Sequence, residues 1–199
     1  MGIFNISNYY NWFNIRHKTK YKCNYDYLTK SEVLNVYNSY SNYVKLHLKI
    51  EIEKNKRIGR IPNFPEHISE NAVIHILKHI NPNEDWTWNC KGDIFCRTTN
   101  TRGEVKACQH GPTSFTPKKD LKKDTLFYLD CSKHLNDGYI ELYRIDKYYS
   151  TLKDIKINSE QTFEDQQNQN RRARIDFKKF PDFDSFKVWS GKLSDILTC

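Results

Sequence analysis

A chain of 199 residues with 38% hydrophobic content, thirteen Tyr and eleven Phe is long enough to bury one continuous core without disulfides or a structural metal, and too apolar to stay disordered. Its formal net charge of +8 and pI of about 9.1 make a polyanion the first partner to consider, because basic surfaces gather phosphates by releasing counterions. No run of eighteen apolar residues and no signal-peptide core are present, which excludes a helical membrane span and leads to the expectation of a soluble, cytoplasmic protein with reduced thiols.

Residues 1–28 are rich in Asn, Tyr, Trp and Phe without a period, and read equally as an arm, a strand pair or a partner-contacting segment. From Thr29 a pattern begins. Thr29 and Glu32 have the spacing of a capping box, and Val33, Val36, Tyr37, Tyr40, Tyr43, Val44 and His47 recur at helical spacing, so a long amphipathic helix is expected to end before Gly59. Pro62 and Pro65 mark a linker. A second helical stripe follows at Ile68, Ala72, Val73, Ile76, Leu77 and Ile80, with Ser69, Glu70 and Asn71 near its start and Asn81-Pro82-Asn83 as its stop.

Three strands are expected next, over residues 86–90, 93–97 and 104–108, the last two joined by a turn at residues 98–103. A proline-bracketed loop over residues 110–117 and a lysine-rich run over residues 118–123 lead to an apolar stretch at residues 126–130, which reads as a buried central strand. Asn136-Asp137-Gly138 is a turn signal before an alternating strand at residues 139–145. Residues 161–170 are polar and read as a loop. Arg171, Arg172 and Arg174 with Lys178 and Lys179 then interleave with apolar residues, and the tail to Leu197 has enough apolar residues to dock. Helix, strands, loop, strand, strand is an α/β order, with a mixed central sheet flanked by helices.

The chemistry concentrates at Asp93, Glu104 and Lys106. Residues two apart on a strand share a face, so Glu104 and Lys106 project together while Val105 points into the core, and the turn folds Asp93 alongside. Two carboxylates and an ammonium suit phosphodiester hydrolysis. Hard oxygen ligands hold Mg²⁺, which keeps several waters, and a lysine orients or deprotonates the attacking water and offsets charge developing on phosphorus. Asp, a gap, then Glu-x-Lys also recurs in charged sequences as a solvated strand face. Here it is flanked by Val105, Ala107 and Cys108, and a Glu-bearing helix precedes it. A zinc site from Cys90, Cys96, Cys108, His110 and His134 is rejected, because no Cys-x₂-Cys knuckle exists.

Gly92-Asp93-Ile94-Phe95 with Glu104-Val105-Lys106 resembles the PD-(D/E)xK nuclease superfamily, Lys91-Gly92 standing where the name-giving proline does. Taken with residues 68–71, 111–117, 126–130 and 137–143, the order is similar to small type II restriction endonucleases, most of all those that cut GCNGC; it covers roughly residues 60–180. The resemblance implies a restriction-endonuclease-like core and Mg²⁺-dependent, sequence-specific hydrolysis of double-stranded DNA leaving 5′-phosphate ends. It implies Asp93, Glu104 and the Val105 carbonyl as metal ligands and Lys106 as the water-positioning or basic group. Glu70 would be a supporting or additional metal contact, against the alternative of an exposed first-turn residue favoured by the helix dipole. Gln109 either touches DNA or merely ends its strand. Thr113 and Ser114 suit phosphate contacts, against the alternative of a plain proline-bounded surface loop, and Arg171, Arg172 and Arg174 suit base edges, against that of a solvated basic turn.

The expected layout is one endonuclease domain over residues 1–199, with an arm and long helix at 1–58, a catalytic core at 60–145 and a basic DNA-contacting segment at 160–180. A palindromic target leads to the expectation of a homodimer, with the long helix as its interface. The rival readings are a junction resolvase or repair nuclease of the same superfamily, and a noncatalytic DNA-binding protein whose Asp93, Glu104 and Lys106 are an ordinary ion-pair cluster.

Overall fold

The computed structural model describes residues 27–55, 59, 62–88, 93–109, 113–114, 124–171, 173–177, 180 and 182–198, with Thr113 and Ser114 described through their main chain only. Its first helix, α1 (Lys30–Lys54), starts where the capping box requires: Thr29 Oγ1 accepts from the Glu32 amide, and Glu32 accepts in return from the Thr29 amide at 2.8 Å. Such a cap is worth about 1 kcal/mol. Asn55 in the left-handed conformation, φ 46°, ends the helix. The buried stripe is Val33, Tyr37, Tyr40, Val44 and His47, while Tyr43 flanks it beside His47 and is 54% exposed.

The second helix, α2 (Glu66–Ile80), follows Pro65 and is buried at every position from Ile68 to Leu77. That full enclosure, with only Ile80 of its apolar stripe emerging, follows from its place between α1, the sheet and the C-terminal helix. Asn71 Oδ1 accepts from the Leu28 amide at 2.6 Å and His75 Nε2 meets the Leu28 carbonyl at 2.7 Å, so polar groups on this buried helix hold the segment before α1.

Among the described residues six strands form one mixed sheet in the order β1 (Trp86–Trp88), β2 (Ile94–Cys96), β3 (Thr101–Cys108), β5 (Thr125–Asp130), β6 (Tyr139–Ile145), β8 (Lys187–Lys192). Only β3 and β5 pair in parallel, from Gly103 opposite Thr125 to Cys108 opposite Asp130; the other neighbours are antiparallel. A parallel pair needs a crossover, and residues 109–124 make it. Within them lies β4 (Thr113–Ser114), which pairs with β7 (Arg174–Ile175) as a separate ribbon. As expected, β5 is central and buried at all six positions.

Strand parity divides the molecule. Val105, Phe127, Leu129, Ile140 and Leu142 face α1, α2 and α6 (Leu193–Leu197) and form one core. Cys108, Leu126, Tyr128, Tyr143 and Ile145 face the other way, onto Tyr148, Leu152, Phe163, Ala173, Ile175, Phe177 and Phe183. Gly103 lets the first of these cores close over the hairpin: a Cβ there would stand 2.7 Å from Ile94 Cγ1 and 2.8 Å from Phe127 Cε2, both in that core.

Three expectations are corrected. The turn between β2 and β3 is at residues 97–100, with Asn100 at φ 54°, and β3 begins at Thr101; Gly103, expected in the turn, sits in the strand because its bare backbone admits Ile94 and Phe127. The polar run at residues 161–170 contains a helix, α5 (Phe163–Asn168), since Thr162 and Asp165 form a second capping box and Phe163 is fully buried. Asn136-Asp137-Gly138 is the end of a short helix, α3 (His134–Asp137), with Gly138 as its left-handed cap. One further short helix, α4 (Tyr148–Leu152), follows β6. Among the described residues no helix is long and apolar enough to cross a membrane.

Candidate active site

The site forms where β2 stops short of β3. Among the described residues pairing between these strands ends at Ile94 opposite Gly103 and gives the Val105 amide no strand partner on that side; the carboxylate of Asp93 takes that place, Oδ2 accepting from Val105 N–H at 2.6 Å. Sequence parity is observed: Val105 is 4% exposed in the core, while Glu104 and Lys106 stand on the opposite face, half-buried. Lys106 Nζ lies 2.6 Å from Glu104 Oε1, 3.8 Å from Asp93 Oδ2 and 3.2 Å from the Val105 carbonyl. The hairpin thus brings Asp93, Glu104, Val105 and Lys106 together.

Glu70 joins them from α2. It is 8% exposed, which removes the alternative of a solvated first-turn residue, and Trp88 Nε1 donates to its Oε2 at 2.9 Å. Burial, with the Asp93 charge beside it, pushes the Glu70 carboxyl up to about 7 against the indole bond that pulls it down. Burial likewise pushes Asp93 up to about 6, reinforced by Glu104 and opposed by Lys106 and the Val105 amide. For Lys106, burial favours the neutral amine, but the Glu104 hydrogen bond and the charges of Glu104, Asp93 and Glu66 together outweigh it, so its ammonium is held above the ordinary range.

This is a surplus of half-buried negative charge around one ammonium. Among the described residues no three His, Cys, Asp or Glu side chains are gathered as a ready-made metal cage. The donor set that is present, hard carboxylate oxygens of Asp93 and Glu104 beside a main-chain carbonyl, fits a cation that keeps part of its water shell, as Mg²⁺ does. It does not fit zinc: Cys96, Cys108 and Cys131 are buried thiols, His134 is inside the core, and Cys90 and His110 lie outside the described residues.

The remaining candidates divide. Gln109, 7% exposed, turns inward, where Tyr40 donates to its Oε1 at 2.9 Å and its Nε2 meets His134 Nε2 at 3.2 Å. It ends its strand and ties β3 to α1 and α3, so it is removed from the DNA-contacting set. Thr113 and Ser114 pair through their backbones with Ile175 and Arg174. The two segments read separately as DNA contacts are therefore one ribbon. Its inner residues Ala173 and Ile175 lie in the core on the Glu104–Lys106 side of the sheet, while Arg171 and Arg174 are exposed; Arg172 lies outside the described residues. Trp88, which fixes Glu70, was missed, although a Trp two residues beyond Trp86 on a short strand was a signal that one indole faces the same helix as the other.

No curated protein and no solved structure matches the chain. The family model described as Bsp6I restriction endonuclease matches residues 28–180, a span that takes in α1, α2, the hairpin and the ribbon. The chain therefore belongs to the Bsp6I restriction endonuclease family, whose business is sequence-specific cleavage of DNA.

Proposed function

We propose that this protein is a Mg²⁺-dependent type II restriction endonuclease that hydrolyses both strands of DNA at a short sequence and leaves 5′-phosphate ends. The observation that carries the reading is the convergence of Asp93, Glu104 and Lys106, with distances of 2.6 and 3.8 Å, on the side of the sheet whose core also holds the β4–β7 ribbon. Asp93, Glu104 and the Val105 carbonyl would hold the cation, and Mg²⁺ bound there would polarise the phosphoryl oxygen and lower the pKa of an attacking water.

The chain's own groups do the rest. Lys106 keeps its proton because Glu104 and Asp93 flank it, so it orients the attacking water and offsets charge building on phosphorus, and acts less as a base. Glu70, about half protonated near neutrality and held by Trp88, supports Asp93 and in its ionised form would supply another carboxylate to a bound cation. Arg171, Arg172 and Arg174 read base edges while the main chain of Thr113 and Ser114 approaches phosphate. We further infer a homodimer through α1, which exposes Tyr43, Leu46 and Ile52.

Plasmid DNA incubated with the protein and Mg²⁺ should give discrete bands, and sequencing the ends should show one short word with 5′-phosphates, which also tests the likeness to GCNGC cutters. A smear, or nicking that follows DNA structure, would refute the assignment. Light scattering should report twice the chain mass, and a monomer would refute the dimer.

A further inference from the structure

Strand parity puts a third charged side chain in line with Glu104 and Lys106. Arg102 projects from the same face of β3, and it is the exposed end of that row. At about 3.4 Å per residue it stands about 7 Å along the strand from Glu104 and about 14 Å from Lys106. Its guanidinium is engaged through one edge only: Nε lies 3.4 Å from Oδ1 of Asp124, and the Nη pair has no partner among the described residues.

Asp124 is an unusual anchor. It precedes β5 and therefore lies across from Arg102 by continuation of the parallel register, Gly103 opposite Thr125. Its side chain is 9% exposed against 45% for Arg102, and its carbonyl accepts from the Tyr148 amide at the start of α4. Burial raises its carboxyl, Arg102 lowers it, and the Glu104 charge is close enough to raise it again. As a purely structural pair it adds little: one long bond to a half-exposed arginine contributes under about 1 kcal/mol while a carboxylate is kept from water. A buried acid that holds an arginine by its Nε edge does something else well, which is to fix the planar fork with its two Nη groups turned outward, the arrangement that receives a phosphate in two parallel hydrogen bonds.

We infer that Arg102 is a phosphate-contacting residue for the DNA strand being cut, and that Asp124 is the positioning residue that aims it. The inference rests on the reading of Asp93, Glu104 and Lys106 as the cleavage site. Phosphates of one strand advance about 3.4 Å along the duplex axis per nucleotide, so a strand laid along β3 with its scissile phosphate between Glu104 and Lys106 carries a neighbouring phosphate past Arg102. Lys106 cannot take that role, since Glu104 and Asp93 already hold it.

The test uses the full chain and two readouts. Binding to a fluorescent duplex of mixed sequence, in EDTA over about 50–200 mM KCl, gives the slope of log K against log salt, which changes by about 0.9 for each phosphate that the protein ceases to neutralise. Plasmid cleavage in Mg²⁺ gives kcat/KM. Arg102→Ala should flatten the slope by about 0.9. Arg102→Lys should keep the slope yet cleave about tenfold more slowly, because an ammonium lacks the fork, and Asp124→Asn should cleave several-fold more slowly with the slope kept. A lowered melting temperature with an unchanged slope in Arg102→Ala means a structural pair only and overturns the inference. So does an Arg102→Lys protein that cleaves like wild type, which decides the matter if the alanine variant does not fold. Wild type that binds without cleaving refutes the endonuclease reading, and the slope still decides on Arg102.

Discussion

Arg144 on β6 and Lys106 on β3 are half-buried cations on one sheet, each 22% exposed, yet their surroundings differ in kind. Arg144 donates twice to Glu84, at 3.1 and 2.8 Å, and through Nε to Asp146 at 3.0 Å, and lies over the rings of Trp86 and Phe127. Glu84 also receives the Trp86 indole, and Asp146 receives Thr125 Oγ1. The carboxylate in excess there, Asp146, is 61% exposed and left to water. At Lys106 the excess lies under cover: Asp93 is 17% exposed, Glu104 29% and Glu70 8%. A cluster whose surplus charge is solvated is finished as it stands and holds β1 to β6. One whose surplus is buried is relieved by a proton or a cation, which is what marks it as a candidate active site beside a clamp built of the same residue types.

That contrast breaks most sharply by mutation. Lys106→Ala or Asp93→Ala should lower plasmid cleavage by at least about 10³-fold with DNA affinity in EDTA kept within a few-fold; unchanged cleavage rates would sink the site. Arg144→Met should do the reverse. It strands Glu84 with only an indole for company, at a cost of about 2 kcal/mol, less than for a fully buried pair, or a melting temperature lower by about 6 °C. Its kcat/KM well below that temperature should stay within about threefold, and a hundredfold drop would show that the two clusters are not separable.

Much of this was legible in the sequence where local rules decide. Thr29 and Glu32 set the start of α1, and the period of two put Val105 inward and Glu104 and Lys106 outward, as found. The capping box at Thr162 and Asp165 was equally legible, but the Gln- and Asn-rich composition drew the reading toward a loop. What a single sequence does not contain is which surfaces meet. The burial of Glu70 comes from α2 being enclosed on all sides, the inward turn of Gln109 from Tyr40 and His134 waiting some sixty-nine and twenty-five residues away in sequence, and the union of Ser114 with Arg174 from a long-range pairing that two-residue strands cannot announce. Gly103 looked like a turn residue because glycine usually is one; its requirement here is the absence of a Cβ between Ile94 and Phe127.

A gentler perturbation follows from protonation. Asp93 in the fold holds its proton up to about pH 6, against an ordinary 3.8, and Glu70 up to about 7, against 4.5. Between about pH 4 and 7 the native protein therefore binds more protons at these positions than the unfolded chain does, so their contribution to stability is present at the acid end and lost as pH rises. In EDTA, Asp93→Asn removes the buried charge while its amide oxygen can still accept from Val105. Its melting temperature should exceed that of wild type at pH 8 by on the order of 5 °C and match it near pH 4, with cleavage abolished. Equal melting at both pH values would mean that Asp93 is not strained by its neighbours. Mg²⁺ should raise wild type at pH 8 and leave the variant nearly unmoved.

The smallest change tests the least obvious contact. Trp88→Phe keeps an aromatic ring against α2 but deletes the indole N–H that Glu70 accepts, together with part of the indole's bulk, and the lost bond costs about 1 kcal/mol. That bond favours the ionised carboxylate, so without it the Glu70 carboxyl rises further and the fold gives up more stability between pH 5 and 8 than wild type does. In metal-free protein the difference in melting temperature between these two pH values should widen by one or two degrees, on the order expected for a fraction of a pK unit, and Glu70→Gln in the same background should abolish the widening. If Trp88→Phe shifts both melting temperatures equally, the indole supports the wall of the site by its bulk alone, and Glu70 is set by burial and Asp93 without it.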